Sequence, residues 1–273
     1  MKVLEFGAYD FTSKKELFTG LYEKQHEIID LKKSNVYKSC EKGGISIPHQ
    51  KDEYSIKSIE GAKSGFIYPI ISTTKFMDSH SDVHFDGCFN KTLKEQQGKV
   101  KYILDHQLNY DSVIAWQKDV VMSVKNIDWG VVGKSFQGQT EALIFEISKD
   151  AIKRKDVLLD IENKVEEFEN SIRMVYHKIT LGMNSELKEH KENKEYFEKR
   201  ISSIVNKDEV LESGYFWGVE QLGIYKEGSL VVAGGSNSAT SIFEAANSTS
   251  SKIEPPKSTQ SSNKNRVSNL LYL

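Results

Sequence analysis

The sequence predicts a mainly β chain with flanking helices, an α+β fold. Two observations carry that reading. Apolar and polar residues alternate at 99–104 and again at 171–177, and β-branched or aromatic runs occupy 65–74, 141–147 and 215–225. A period of two and such compositions mark strands with a buried face. Between them, 149–170 and 184–206 space their apolar residues as a helix does.

Composition bounds the rest. The chain has 273 residues, of which 38% are hydrophobic and 28% charged, and a formal charge of −2. That suits one domain with extensions. The near-neutral balance makes no broad electrostatic case for nucleic acid. No run of about 18 apolar residues exists, so no membrane partner is expected. Residues 1–6 lack a secretory apolar core and include an early acid, Glu5. Cys40 and Cys88 are too few and too far apart for a disulfide framework or a metal knuckle, which suits a reducing compartment.

Residues 1–63 read as an N-terminal extension, partly helical. Leu17, Leu21, Ile28 and Leu31 predict a surface helix over 16–33, and Gly43, Gly44 and Pro48 make 40–48 a loop. A domain over 64–243 follows. Its first strand, 65–74, contains Pro69, which belongs on an edge or at a bulge. Asp78, Asp82, Asp86 and Gly87 make 77–89 rich in turns, and 90–97 is a short helix with Asn90 as its cap. Strand 99–104 runs out at His106, a polar loop covers 107–112, and a second short strand covers 113–116. Strand and turn signals fill 119–124 and 128–133.

The helix over 149–170 aligns Leu158, Ile161, Val165 and Phe168 in one stripe, and Ser171 opens the strand that follows. On that strand Ile172, Met174 and Tyr176 face one way; Ser171, Arg173, Val175 and His177 face the other. The polar helix at 184–206 reads as a solvent-exposed insertion. Gly234 and Gly235 are not a phosphate loop, because no Lys-Ser/Thr follows. The tail, 244–273, is rich in Ser, Thr, Asn, Lys and Pro and reads as disordered. Its apolar tip at 267–273 fits a docking peptide or a weakly packed terminus.

Three sets of residues invite a chemical reading. His80 and His84 are spaced as helical metal ligands, but their surroundings favour a loop and no third ligand stands at a diagnostic spacing. His106, at a strand end, fits a proton-transfer base or a hairpin cap. Ser171 is a nucleophile if a base takes its proton, and a filler on a mixed face otherwise. His106 is that base if the two strands are neighbours.

Several segments together resemble one family. In order they are Asp78-x-x-x-Asp82, Asp86-Gly-Cys-Phe89, Leu104-Asp-His106, Asn170-Ser171-Ile-Arg-Met, and Glu227-Gly-Ser-Leu-Val231 followed by Asn237 and Ala239. This pattern is similar to the prohead (procapsid maturation) serine proteases of tailed bacteriophages, which are related in fold to herpesvirus assemblin. The resemblance spans about 64–243. It implies a closed, mostly antiparallel β-barrel flanked by helices, and a serine endopeptidase without a cofactor or metal. Its implied partners are the phage major capsid protein and its scaffold or delta segment, with self-cleavage and a homodimer both compatible. Its implied place is the host cytoplasm, inside the assembling procapsid.

The family's serine maps onto Ser171, its histidine onto His106, and an acidic residue onto Glu227. His177 and His84 are alternatives for the third position. Arg173 stands where a small residue is usual, and Cys88 likewise. Arg173 there either alters the oxyanion site or contributes charge to it. Two rival readings remain: an inactive capsid assembly or scaffold-like protein on the same fold, and a metallohydrolase built on His80, His84 and His106.

Overall fold

A computed structural model describes residues 1–34, 37–38, 58–232 and 235–245. The loop at 40–48, Cys40, Gly234 and the tail from 246 with its apolar tip lie outside the described residues.

Two helices, α1 (Lys14–Glu23) and α2 (Gln25–Ser34), open the chain. Ser13 caps the first, its hydroxyl accepting the Glu16 N–H at 3.2 Å. Leu17, Phe18, Leu21 and Ile28 are buried in the main core, so these helices are part of the packed body rather than a surface helix. Leu31 is 49% exposed while its neighbour Lys32 is buried. Lys32 Nζ meets Asp82 Oδ1 at 2.7 Å and lies over the Trp217 ring, 5.5 Å from its centre. A distant carboxylate and an aromatic face thus draw a lysine inward where the apolar spacing points to leucine.

The strands are β1 (Tyr37–Lys38), β2 (Phe66–Thr73), β3 (Asp82–His84), β4 (Lys101–Leu104), β5 (Val113–Ala115), β6 (Val121–Asp128), β7 (Gln139–Ser148), β8 (Glu169–Met183), β9 (Tyr215–Val231) and β10 (Ser241–Glu244). Helix α3 (Asn90–Gln96) lies between β3 and β4, α4 (Lys155–Glu162) between β7 and β8, and α5 (Lys191–Ile201) with α6 (Lys207–Ser213) between β8 and β9. Asn90 makes no capping bond; the cap position falls on Phe89.

The strands form two open sheets, ordered β1-β8-β9-β4-β5, with β3 also on β9, and β10-β2-β7-β6. Among the described residues the closed, mostly antiparallel barrel implied by the family resemblance is therefore not present. No described strand pairs with the outer edges of β5, β10 or β6, so neither sheet closes. And β9 takes antiparallel β8 on one side but parallel β3 and β4 on the other, so the larger sheet is mixed. The class is a mixed α+β fold.

The sheets pack face to face. Ile67, Ile71, Leu143, Phe145 and Ile147 of the smaller sheet share a core with Tyr102, Ile172, Met174 and Leu230 of the larger. A side chain such as Phe145, once buried, contributes about 2–3 kcal/mol. Gly228 permits this contact: a Cβ there would stand 2.8 Å from the Phe145 ring. A second cluster, around Tyr68, Ile144 and Trp129, backs the smaller sheet.

Three further expectations are corrected. The helix predicted over 149–170 covers only Lys155–Glu162; beyond its C-terminal end Lys164 adopts a left-handed φ of 51° and turns the chain, leaving Val165 exposed. Strand β8 consequently begins at Glu169, two residues before Ser171. The 184–206 segment is no exposed insertion: Phe197 and Ile204 pack with Val83, Phe85 and Phe216. Pro69 is on an interior strand, between β10 and β7, with a register shift between Ile70 and Ser72 beside it. Among the described residues, no helix is long and apolar enough to cross a membrane.

Candidate active site

The site lies across the middle of the larger sheet. Ser171 on β8 stands opposite Ser229 on β9, and Ser229 stands opposite Ile103 on β4. The strands carrying Ser171 and His106 are thus not neighbours, as the base reading requires in sequence terms; β9 runs between them. What joins the two side chains is a turn.

Strand β4 ends at Leu104, and Asp105 and His106 both take positive φ, 44° and 56°. The Gln107 N–H donates to Leu104 O at 2.9 Å, closing the turn. Left-handed backbone costs a non-glycine residue about 1–2 kcal/mol. Local hydrogen bonds offset it. Asp105 N–H donates to Leu230 O at 3.0 Å, and His106 N–H to Ser229 Oγ at 3.0 Å. The His106 carbonyl accepts from Arg173 Nη2 at 2.8 Å. So held, the imidazole reaches back over β9.

Its two nitrogens then meet different partners. His106 Nδ1 is 2.7 Å from Glu227 Oε1, and Nε2 is 2.7 Å from Ser171 Oγ. An ionised carboxylate only accepts, so Nδ1 carries the proton and donates to Glu227. Nε2 is left as the acceptor of the Ser171 hydroxyl. The Ser–His–acid order is therefore the one in which the hydroxyl can be deprotonated.

Glu227 owes its position to a bulge. Ile172 pairs with Gly228 and Met174 with Ile224, so Arg173 alone stands opposite Tyr225, Lys226 and Glu227. Lys226 turns through φ 68° just before Glu227. The glutamate is 0% exposed. Its second oxygen accepts from Ser229 Oγ at 2.7 Å, and Arg173 Nε lies 3.5 Å from the first. A buried carboxylate is stable only when paired and hydrogen-bonded, and here it is both. The start of β8 is fixed by Asn170, whose Oδ1 accepts from Tyr102 OH at 2.7 Å while its Nδ2 donates to Ser241 O.

His177 and His84 are elsewhere. His177 is exposed on β8, against Gly223. His84 is buried with Nδ1 3.0 Å from Ser72 Oγ, and burial lowers its pKa to about 4. Nor do His80, His84 and His106 converge. Among the described residues the group of three possible metal ligands is Asp78, His80 and Asp82, whose ligand atoms lie within 4.8 Å of one another. Asp82 is already engaged by Lys32 and by Tyr176 OH at 2.6 Å. Burial, then the charge of Asp82, pushes Asp78 up to about 6. Cys88 is a core residue whose thiol burial drives upward.

Ser229 and Asn170 enter the sequence reading only as members of the family-like segments, with no role assigned to either. Ser229 is two residues beyond Glu227, hence on the same strand face, which is the hint its spacing gives. Arg173 bonds the backbone of His106 and flanks Glu227.

The fold and site thus define a hydrogen-bonded Ser–His–Glu triad laid across an open, mixed sheet of an α+β protein. Comparisons with protein-family models, curated proteins and solved structures return no match to this chain.

Proposed function

We propose that the chain is a serine endopeptidase acting in procapsid maturation of a tailed bacteriophage. The observation that carries the chemistry is the pair of 2.7 Å contacts that His106 makes with Ser171 and Glu227. Ser171 Oγ attacks a peptide carbonyl while His106 Nε2 takes its proton. The resulting imidazolium is held by Glu227, and Nε2 returns the proton to the leaving amine. The substrate and place follow from the motif resemblance alone: scaffold or capsid-protein segments, and the chain itself, inside the assembling shell in the host cytoplasm. Neither cofactor nor metal enters this mechanism.

A second reading rests on burial. Ser171 is 2% exposed, and a self-satisfied polar network is also what an inactive assembly protein would retain. Two measurements separate them. A fluorophosphonate probe labels Ser171 of the peptidase, and Ser171→Ala abolishes both labelling and cleavage of capsid and scaffold proteins while leaving the fold intact. Processing by Ser171→Ala at the wild-type rate ends the peptidase reading.

A further inference from the structure

We infer that Arg173 is a positioning residue, clamping the backbone of His106 to the carboxylate of Glu227. The inference rests on the triad reading and adds a member that the reading does not need. Three observations meet at this side chain. First, Asp105 and His106 tolerate the left-handed turn better than most residues but still at a cost, and the bonds that hold the turn in place come from β8 and β9, Arg173 among them. Second, Arg173 Nη2 donates to the His106 carbonyl at 2.8 Å while Nε stands 3.5 Å from Glu227 Oε1. One rigid, planar group therefore touches both residues of the His106–Glu227 pair, by a hydrogen bond to the backbone of one and an ion pair, without a hydrogen bond, to the carboxylate of the other. Third, Arg173 alone faces the β9 bulge that delivers Glu227, so its register is tied to that of the carboxylate.

Ser229 completes the arrangement from the other side. Its hydroxyl accepts the His106 N–H and donates to Glu227 Oε2. The backbone N–H of His106 is thus tied through Ser229 to one carboxylate oxygen. The backbone carbonyl is linked to the other through Arg173, by one hydrogen bond and one ion pair. The imidazole then has little freedom to swing from Ser171. Lysine cannot substitute, because a single ammonium lacks the fork that reaches both acceptors.

The test uses the full chain and two readouts. One is the second-order rate of Ser171 labelling by a fluorophosphonate. The other is the far-downfield proton resonance of His106 Nδ1–H, assigned by its loss in His106→Gln and visible whether or not the chain cleaves anything. Arg173→Met lowers the labelling rate about 100-fold, the scale of a misplaced catalytic group, and erases the resonance, with the circular dichroism spectrum unchanged. Arg173→Lys recovers less than about tenfold of that loss, and free guanidinium partly restores Arg173→Ala. Should Arg173→Met not fold, Arg173→Lys and its resonance decide.

Labelling by Arg173→Met within about twofold of wild type, with the resonance intact, overturns the clamp and leaves the triad standing. Failure of the wild type to label ends the catalytic reading instead. In that case loss of the resonance in Arg173→Met still supports the clamp, and its persistence overturns it.

Discussion

Replacing Glu227 with glutamine keeps the side chain's shape and removes its charge. The amide has two orientations, and each disables the site differently. With its NH2 toward His106, it donates to Nδ1 and forces the imidazole proton onto Nε2, which then cannot accept from Ser171. With its oxygen toward His106, the amide preserves the tautomer, and its NH2 donates to Ser229 Oγ. The carboxylate's attraction for the imidazolium is then lost. At about 4 Å between charge centres and an effective dielectric near 20, that attraction is about 4 kcal/mol, or about 10³ in rate. Glu227→Gln should therefore label Ser171 with a fluorophosphonate at least about 10³-fold more slowly than wild type. It also strands the Arg173 guanidinium, so a loss of about 3–5 kcal/mol in stability is expected, and labelling is compared well below the melting transition. A folded Glu227→Gln that labels within about threefold of wild type, under about 1 kcal/mol of barrier, refutes the assignment of Glu227.

Two further outcomes test the frame around the site. Lys32→Met leaves Asp82 buried beside Tyr176 without its cation and should lower stability by about 3–5 kcal/mol in denaturant unfolding; adding Asp82→Asn should recover part of it, and an unmoved midpoint in the single variant contradicts the buried pair. Asp78, pushed up to about 6 by burial and then by Asp82, binds its proton more tightly in the native than in the unfolded chain. Its contribution is therefore fullest below about pH 4 and is lost as pH rises through about 6. Asp78→Asn keeps an oxygen for the N–H groups of His80 and Asp82. Its melting temperature should exceed that of wild type near about pH 7, the gap closing toward about pH 4. A gap that widens on acidification reverses the sign and the argument.

Much of the strand content was legible because a period of two survives whatever a strand pairs with. Direction does not leave that mark. The alternation at Tyr102 and Leu104 fits the parallel partner β9 as well as an antiparallel one, so nothing in it opposed the closed barrel that the family resemblance implied and that the open sheets overturn. The overrun of the 149–170 helix has a similar cause: Val165 and Phe168 continue the stripe, while the left-handed backbone at Lys164 has no signature in a lysine. Ser171 and His106 were readable as residue types at strand ends. Glu227 was placed ahead of His177 and His84 by the family resemblance alone, because its position depends on the bulge opposite Arg173, which no local pattern encodes. Lys32 was hidden for the same reason: its partner Asp82 approaches through the fold, not along the chain.

Strand β9 lies between β8 and β4, yet it is the last of the three to leave the ribosome. A nascent polypeptide that has emerged only as far as α6 already holds its alcohol and its imidazole, on strands with nothing to bridge them. Pairings between segments so remote also form slowly. Emergence of β9 therefore sets the earliest moment at which the three side chains can meet, and a product truncated ahead of Tyr215 would lack both Glu227 and the strand that unites the other two.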